Sequence, residues 1–121
     1  METIPIAQLT GYQFYRYARK YPREALICRV ACKRMTDKQF AKYILNNADI
    51  ALNFEHVCNR LSEEQFQLAV KALPALAIVN KHSCDRLDDQ SFLEIAEQYL
   101  QEVFTFEHST LRYLNLNTIA F

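Results

Sequence analysis

Arg60-Leu61-Ser62-Glu63-Glu64-Gln65-Phe66-Gln67-Leu68-Ala69-Val70-Lys71-Ala72-Leu73-Pro74 decides the fold, because its opening recurs every 26 residues. One step upstream stands Arg34-Met35-Thr36-Asp37-Lys38-Gln39-Phe40, and one step downstream Arg86-Leu87-Asp88-Asp89-Gln90-Ser91-Phe92. A further step upstream reaches Gln8-Leu9-Thr10-Gly11-Tyr12-Gln13-Phe14. Working outward, Cys32, Cys58 and Cys84 form one register column, His56, His82 and His108 a second, and Arg34, Arg60, Arg86 and Arg112 a third. Self-similarity at a fixed short period is the signature of a repeat architecture. The chain reads as four tandem copies, approximately 8–33, 34–59, 60–85 and 86–111, within a single domain spanning 1–121.

Each copy predicts two short helices. Thr10, Thr36, Ser62 and Asp88 stand where a side-chain oxygen can accept from the orphan N–H groups of a first helical turn. Gln13, Gln39 and Gln65, three residues on, complete a capping box in the first three copies; Ser91 caps less fully. First helices follow over 11–20, 37–46, 63–72 and 89–98, with Phe40, Tyr43, Ile44 and Asn47 sharing one face. Second helices start near Pro22, Ala48, Pro74 and Leu100, a position where proline's missing N–H costs nothing. The Arg column closes each second helix, at the negative end of its dipole and within reach of the acid three residues on (Asp37, Glu63, Asp89).

A helix pair this small cannot bury its own apolar face, so the copies must pack on one another. The expected fold is all-α: four helix-turn-helix repeats stacked as a short solenoid or superhelical bundle. Residues 112–121 begin a fifth copy at Arg112 and then alternate apolar with polar residues, which predicts an extended C-terminal tail. That tail, or the stack ends, offers a route to a homodimer.

The run Phe66-Gln67-Leu68-Ala69-Val70-Lys71-Ala72-Leu73-Pro74-Ala75-Leu76 leads to Arg86-Leu87-Asp88-Asp89. It resembles the short helix-pair repeats of uncharacterised bacterial domains, in which an "AV-K-x-x-P-x-AL" stretch leads to an "L-x-D" corner. The resemblance covers the last two or three copies and implies a fold but no chemistry.

Composition narrows the function classes. One glycine and three prolines are too few to turn an all-β chain. No apolar run approaches the roughly 18 residues needed to cross a membrane, and the N-terminus lacks a signal-peptide pattern. Four cysteines in that setting predict reduced thiols and a cytoplasmic protein. The charges cancel overall but are segregated. Residues 1–43 carry nine cations against Glu2, Glu24 and Asp37, a net of +6, and the remainder carries −6. One end of the molecule is therefore basic and the other acidic.

The apparent chemistry dissolves into the register. His56-x-Cys58 and His82-x-Cys84 invite a metal reading, but i and i+2 on a helix point apart. Equivalent residues of neighbouring copies lie about 10 Å apart, too far to share an ion whose ligands sit at about 2.0–2.3 Å. Buried packing thiols explain the cysteines better. A Cys–His nucleophile would need a base within hydrogen-bond reach and a group to orient it. No phosphate loop or hydrolase motif is present. The expectation is a protein that is not an enzyme and uses neither metal nor cofactor.

What the register leaves unexplained is the first copy, Tyr12-Gln13-Phe14-Tyr15-Arg16-Tyr17-Ala18-Arg19-Lys20-Tyr21-Pro22-Arg23. Phe14, Tyr17, Ala18 and Tyr21 fill core columns; Tyr12, Tyr15, Arg16, Arg19, Lys20 and Arg23 fall outside them. Exposed Tyr and Arg together suit a protein-interface hot spot. Interleaved rings and cations also suit single-stranded nucleic acid. The leading expectation is a protein-binding adaptor or inhibitor of bacterial or mobile-element type, contacting its partner through this patch and through an exposed His56/His82/His108 column. Nucleic-acid binding through the same copy is the alternative, and self-association a third reading.

Overall fold

The computed structural model describes residues 5–119, with side chains through 117. Within them the oxygens of Thr10, Thr36, Ser62 and Asp88 each accept from the backbone N–H three residues on, and a helix starts at each. These are α1 (Gly11–Lys20), α4 (Asp37–Ile44), α7 (Glu63–Ala72) and α10 (Asp89–Gln98). The reciprocal bond of the capping box forms at Thr10 and Ser62. At Thr36 it does not: Gln39 is buried and its Nε2 finds no partner, so the expected box is only half made.

The expected second helix of each copy proves to be two. It is split into α2 (Pro22–Ile27) and α3 (Arg29–Arg34), α5 (Ala48–Asn53) and α6 (Glu55–Arg60), α8 (Pro74–Val79) and α9 (Lys81–Arg86), and α11 (Leu100–Thr105) and α12 (Glu107–Ile119). The break falls in one column, Cys28, Phe54, Asn80 and Phe106, each in an extended conformation. The described residues thus form twelve α-helices, a short 3-10 turn at Ile6–Gln8 and no strand.

A helix break strands carbonyls, and buried carbonyls need donors. Ser83 Oγ donates to Ala77 O at 2.9 Å, and Ser109 Oγ to Val103 O at 2.7 Å. Both serines are fully buried. Further donors come from the next copy: the histidine column. Nε2 of His56, His82 and His108 bonds Leu26 O, Leu52 O and Ile78 O at 2.8, 2.6 and 2.8 Å. A carbonyl only accepts, so Nε2 carries the proton in each.

The apolar columns form the core. Phe14, Phe40, Phe66 and Phe92 are all buried, as are Leu26, Leu52 and Ile78; each such side chain contributes roughly 1.5–3 kcal/mol by leaving water. Contacts between elements recur at the sequence period. The first helix of each copy packs on the second of the preceding one (α4 on α2, α7 on α5, α10 on α8), and α6, α9 and α12 follow the same order.

At the C-terminus α12 continues to Ile119, so residues 112–119 are helical, not extended as the alternation suggested; residues 120 and 121 lie outside the described set. The reason is local. The cap column, Thr36, Ser62 and Asp88, holds Leu114 here, which has no oxygen to start a new helix. Tyr113 and Leu116 instead pack against the core. Among the described residues no helix is long and apolar enough to cross a membrane.

Candidate functional site

The arginine column shows how the copies are joined. Each arginine reaches back to the preceding copy, rather than forward to the acid three residues on as the spacing suggested. Arg86 donates to Cys58 O at 2.5 Å and Leu61 O at 2.6 Å, and lies 3.8 Å from Glu63. Arg112 does the same to Cys84 O, Leu87 O and Asp89, and Arg60 to Cys32 O, Met35 O and Asp37. Each guanidinium therefore caps the C-terminus of its neighbour's last helix, and it lies 4.4–4.6 Å over the ring of Phe40, Phe66 or Phe92. Planar forks suit such paired acceptors and stack well on rings. Arg34 likewise reaches back, lying over Phe14 of the first copy, and donates to Ile6 O, so the 3-10 turn takes the place that a helix end has for the later arginines.

The histidines, expected to be exposed, are half-buried and tied to carbonyls of the preceding copy. The first copy has Val30 at this register, whose side chain has no hydrogen-bond donor. Cys32, Cys58 and Cys84 are buried. Burial pushes their thiols above the ordinary value, against the opposing pull of Arg60, Arg86 and Arg112. Such thiols are poor nucleophiles. Among the described residues no three His, Cys, Asp or Glu side chains converge as a metal site would need.

The candidate patch sits mainly on α1. Tyr12 is 72% exposed, and Tyr15, Arg16, Arg19 and Lys20 are exposed beside it. Arg16 lies 5.8 Å from the Tyr12 ring centre and Lys20 5.4 Å from that of Tyr21. Tyr21 was expected in the core but is 43% exposed, its ring 5.8 Å from that of half-buried Tyr17. The matching residues of the next copy, Tyr43 and Asn47, are buried because a copy precedes them. Gln13, Arg16, Tyr17, Arg19, Lys20 and Tyr21 line an open groove of about 530 Å³. Arg23 stands apart: it donates to Asn47 Oδ1 at 2.7 Å and forms a two-pronged pair with Asp49 at 2.8 and 3.2 Å, bridging two copies.

Two residues escaped the sequence reading. Leu45 and Leu68 are 69% and 56% exposed, and they flank one small apolar groove between α4 and α7, floored by Ala48, Ala51, Ala69 and Ala72. The signal was in the register: Leu68 shares its column with Arg16, Lys42 and Glu94, and Leu45 with Arg19, Lys71 and Glu97.

Comparison with family models, with curated proteins and with solved structures gives no match, so the resemblance described above rests on its own residues.

Proposed function

We propose that the chain is a non-enzymatic protein-binding module, an adaptor or inhibitor of bacterial or mobile-element type acting in the cytoplasm. Its four copies stack as a short solenoid that presents the first helices to the partner. One observation carries this reading. The recurring Arg, His and Cys side chains are consumed in joining the copies, whereas Tyr12, Tyr15, Arg16, Arg19 and Lys20 are exposed and serve no such joint. Aromatic and guanidinium groups held on a rigid helix are the usual anchors of a protein interface. The tie between Arg23 and Asp49 makes Arg23 an edge of this surface; the half-buried histidines support the joints more than they support contact.

The test is affinity capture from bacterial lysate, with Arg16→Glu/Arg19→Glu/Lys20→Glu as the control and reconstitution with the purified partner. Binding that survives the triple reversal in a folded protein refutes the patch. The exposed tyrosine rings beside three cations favour single-stranded nucleic acid as the second reading. Phosphate binding of that kind weakens by orders of magnitude between roughly 50 and 200 mM salt. Absence of binding to a single-stranded oligonucleotide at low salt removes it.

A further inference from the structure

The exposed faces of the four first helices, taken in order, change sign. α1 presents Arg16, Arg19 and Lys20; α4 presents Lys38 and Lys42 beside Leu45. α7 presents Leu68 between Glu64 and Lys71, and α10 presents Glu94 and Glu97 with Gln90 and Gln98. All of these side chains are exposed. The acids at the corners, Asp37, Glu63 and Asp89, do not belong to this face, because the arginine column holds them. The row therefore runs from +3 through +2 and 0 to −2, with the apolar groove of Leu45 and Leu68 at its midpoint.

Reversed, such a row sets its +3 helix against a −2 helix at both ends, while α4, at +2, meets the neutral α7. We infer that a second copy of this chain occupies the face, antiparallel, about a two-fold axis that runs along the helices between α4 and α7. This rests on the reading of the first-helix face as a protein-binding surface and names its partner. The rotation preserves height along each helix, so residues of one column meet. Arg16 and Arg19 face Glu94 and Glu97 of the second copy, and Lys42 and Leu45 face its Leu68 and Lys71. The two grooves meet at the axis, each leucine lying against the apolar stem of the facing lysine, where a symmetric contact brings one patch against itself. An exposed apolar notch with charge on either side marks an interaction site, and here both flanks match a reversed copy. Leucines at columns otherwise charged, in a chain segregated to +6 and −6, are otherwise unaccounted for.

Sedimentation velocity of the full chain tests this, from micromolar to several hundred micromolar, at low and at high salt. The wild type sediments as a dimer that weakens with salt. Arg16→Glu/Arg19→Glu and, separately, Glu94→Lys/Glu97→Lys each weaken it by roughly tenfold or more, since each makes like charges meet at both ends. The two variants mixed dimerise again, because every reversed pair then meets its opposite. Leu68→Lys, which sets like charge against Lys42 of the second copy and is checked for native helix content by circular dichroism, is monomeric at any salt. A wild type that stays monomeric throughout overturns the proposal, as does a dimer that ignores these substitutions, or variants that fail to recover on mixing. Charge-dependent capture of a different protein by a monomeric chain would sink the self-partner alone and leave the protein-binding reading standing.

Discussion

Arg86→Met is the sharpest probe of how the copies hold together. Methionine keeps the length and apolar stem but loses both bonds of the fork, to Cys58 O and Leu61 O, and the charge 4.5 Å over the Phe66 ring. The exposed Glu63, 3.8 Å away, contributes little. Each charge-assisted bond at this half-buried joint contributes about 1 kcal/mol once water replaces part of it, and the ring contact about 1 more. The expected loss is about 3 kcal/mol, a fall in Tm of roughly 10 °C for a chain of this length. Arg34→Met removes one carbonyl bond, to Ile6 O, and the Phe14 contact, so about two thirds of that loss, about 2 kcal/mol, is expected. Arg86→Lys restores the charge but not the planar fork, and should recover about 1 kcal/mol at most. Urea unfolding followed by circular dichroism measures all three against wild type. An Arg86→Lys protein as stable as wild type would mean that simple attraction to the helix dipole does the work. Equal losses for Arg34→Met and Arg86→Met would mean that the second carbonyl bond of the fork is immaterial; either result refutes the reasoning.

Three further outcomes are expected. His82→Gln, whose amide N–H can reach Leu52 O as the imidazole does, should retain most stability, whereas His82→Ala should lose about 1 kcal/mol in the same unfolding assay; identical losses would refute the carbonyl bond as the histidine's role. With a thiol reagent at mildly alkaline pH, half-buried Cys28 should react first, and Cys32, Cys58 and Cys84 only on unfolding, since burial both shields these three and raises their pKa; four equal fast rates would contradict the buried column. The bond from Arg23 holds Asp49 below the ordinary carboxylate range, and the Ser91 N–H does the same for Asp88. A depressed folded pKa contributes stability that is complete above the unfolded value, near 4, and is lost as pH falls through the folded one. Acid titration of stability should therefore steepen below about pH 4, and Asp49→Asn/Asp88→Asn should flatten that limb; an unchanged limb would rule these two groups out as its source.

The period, the caps and the first helices were legible in the sequence because they are local. A side-chain oxygen at Thr10 or Ser62 meets an N–H three residues away, and Phe40, Tyr43 and Ile44 share a face by helical geometry alone. The breaks at Cys28, Phe54, Asn80 and Phe106 were not legible, since no proline or glycine marks them. The carbonyls they free find donors on histidines 30 residues later, a partnership set by packing. The direction of the arginine forks was hidden for the same reason, because spacing alone favoured the acid three residues on over the acid 23 residues back. At the end of the chain, Leu114 lacks the capping oxygen that closes the earlier copies, and the tertiary contacts of Tyr113 and Leu116 carried the helix onward. For the candidate site, the sequence set the basic and aromatic composition of α1. Only the tertiary structure placed Leu45 and Leu68 in one exposed groove and withdrew the histidines from the surface, because exposure depends on what the neighbouring copy covers.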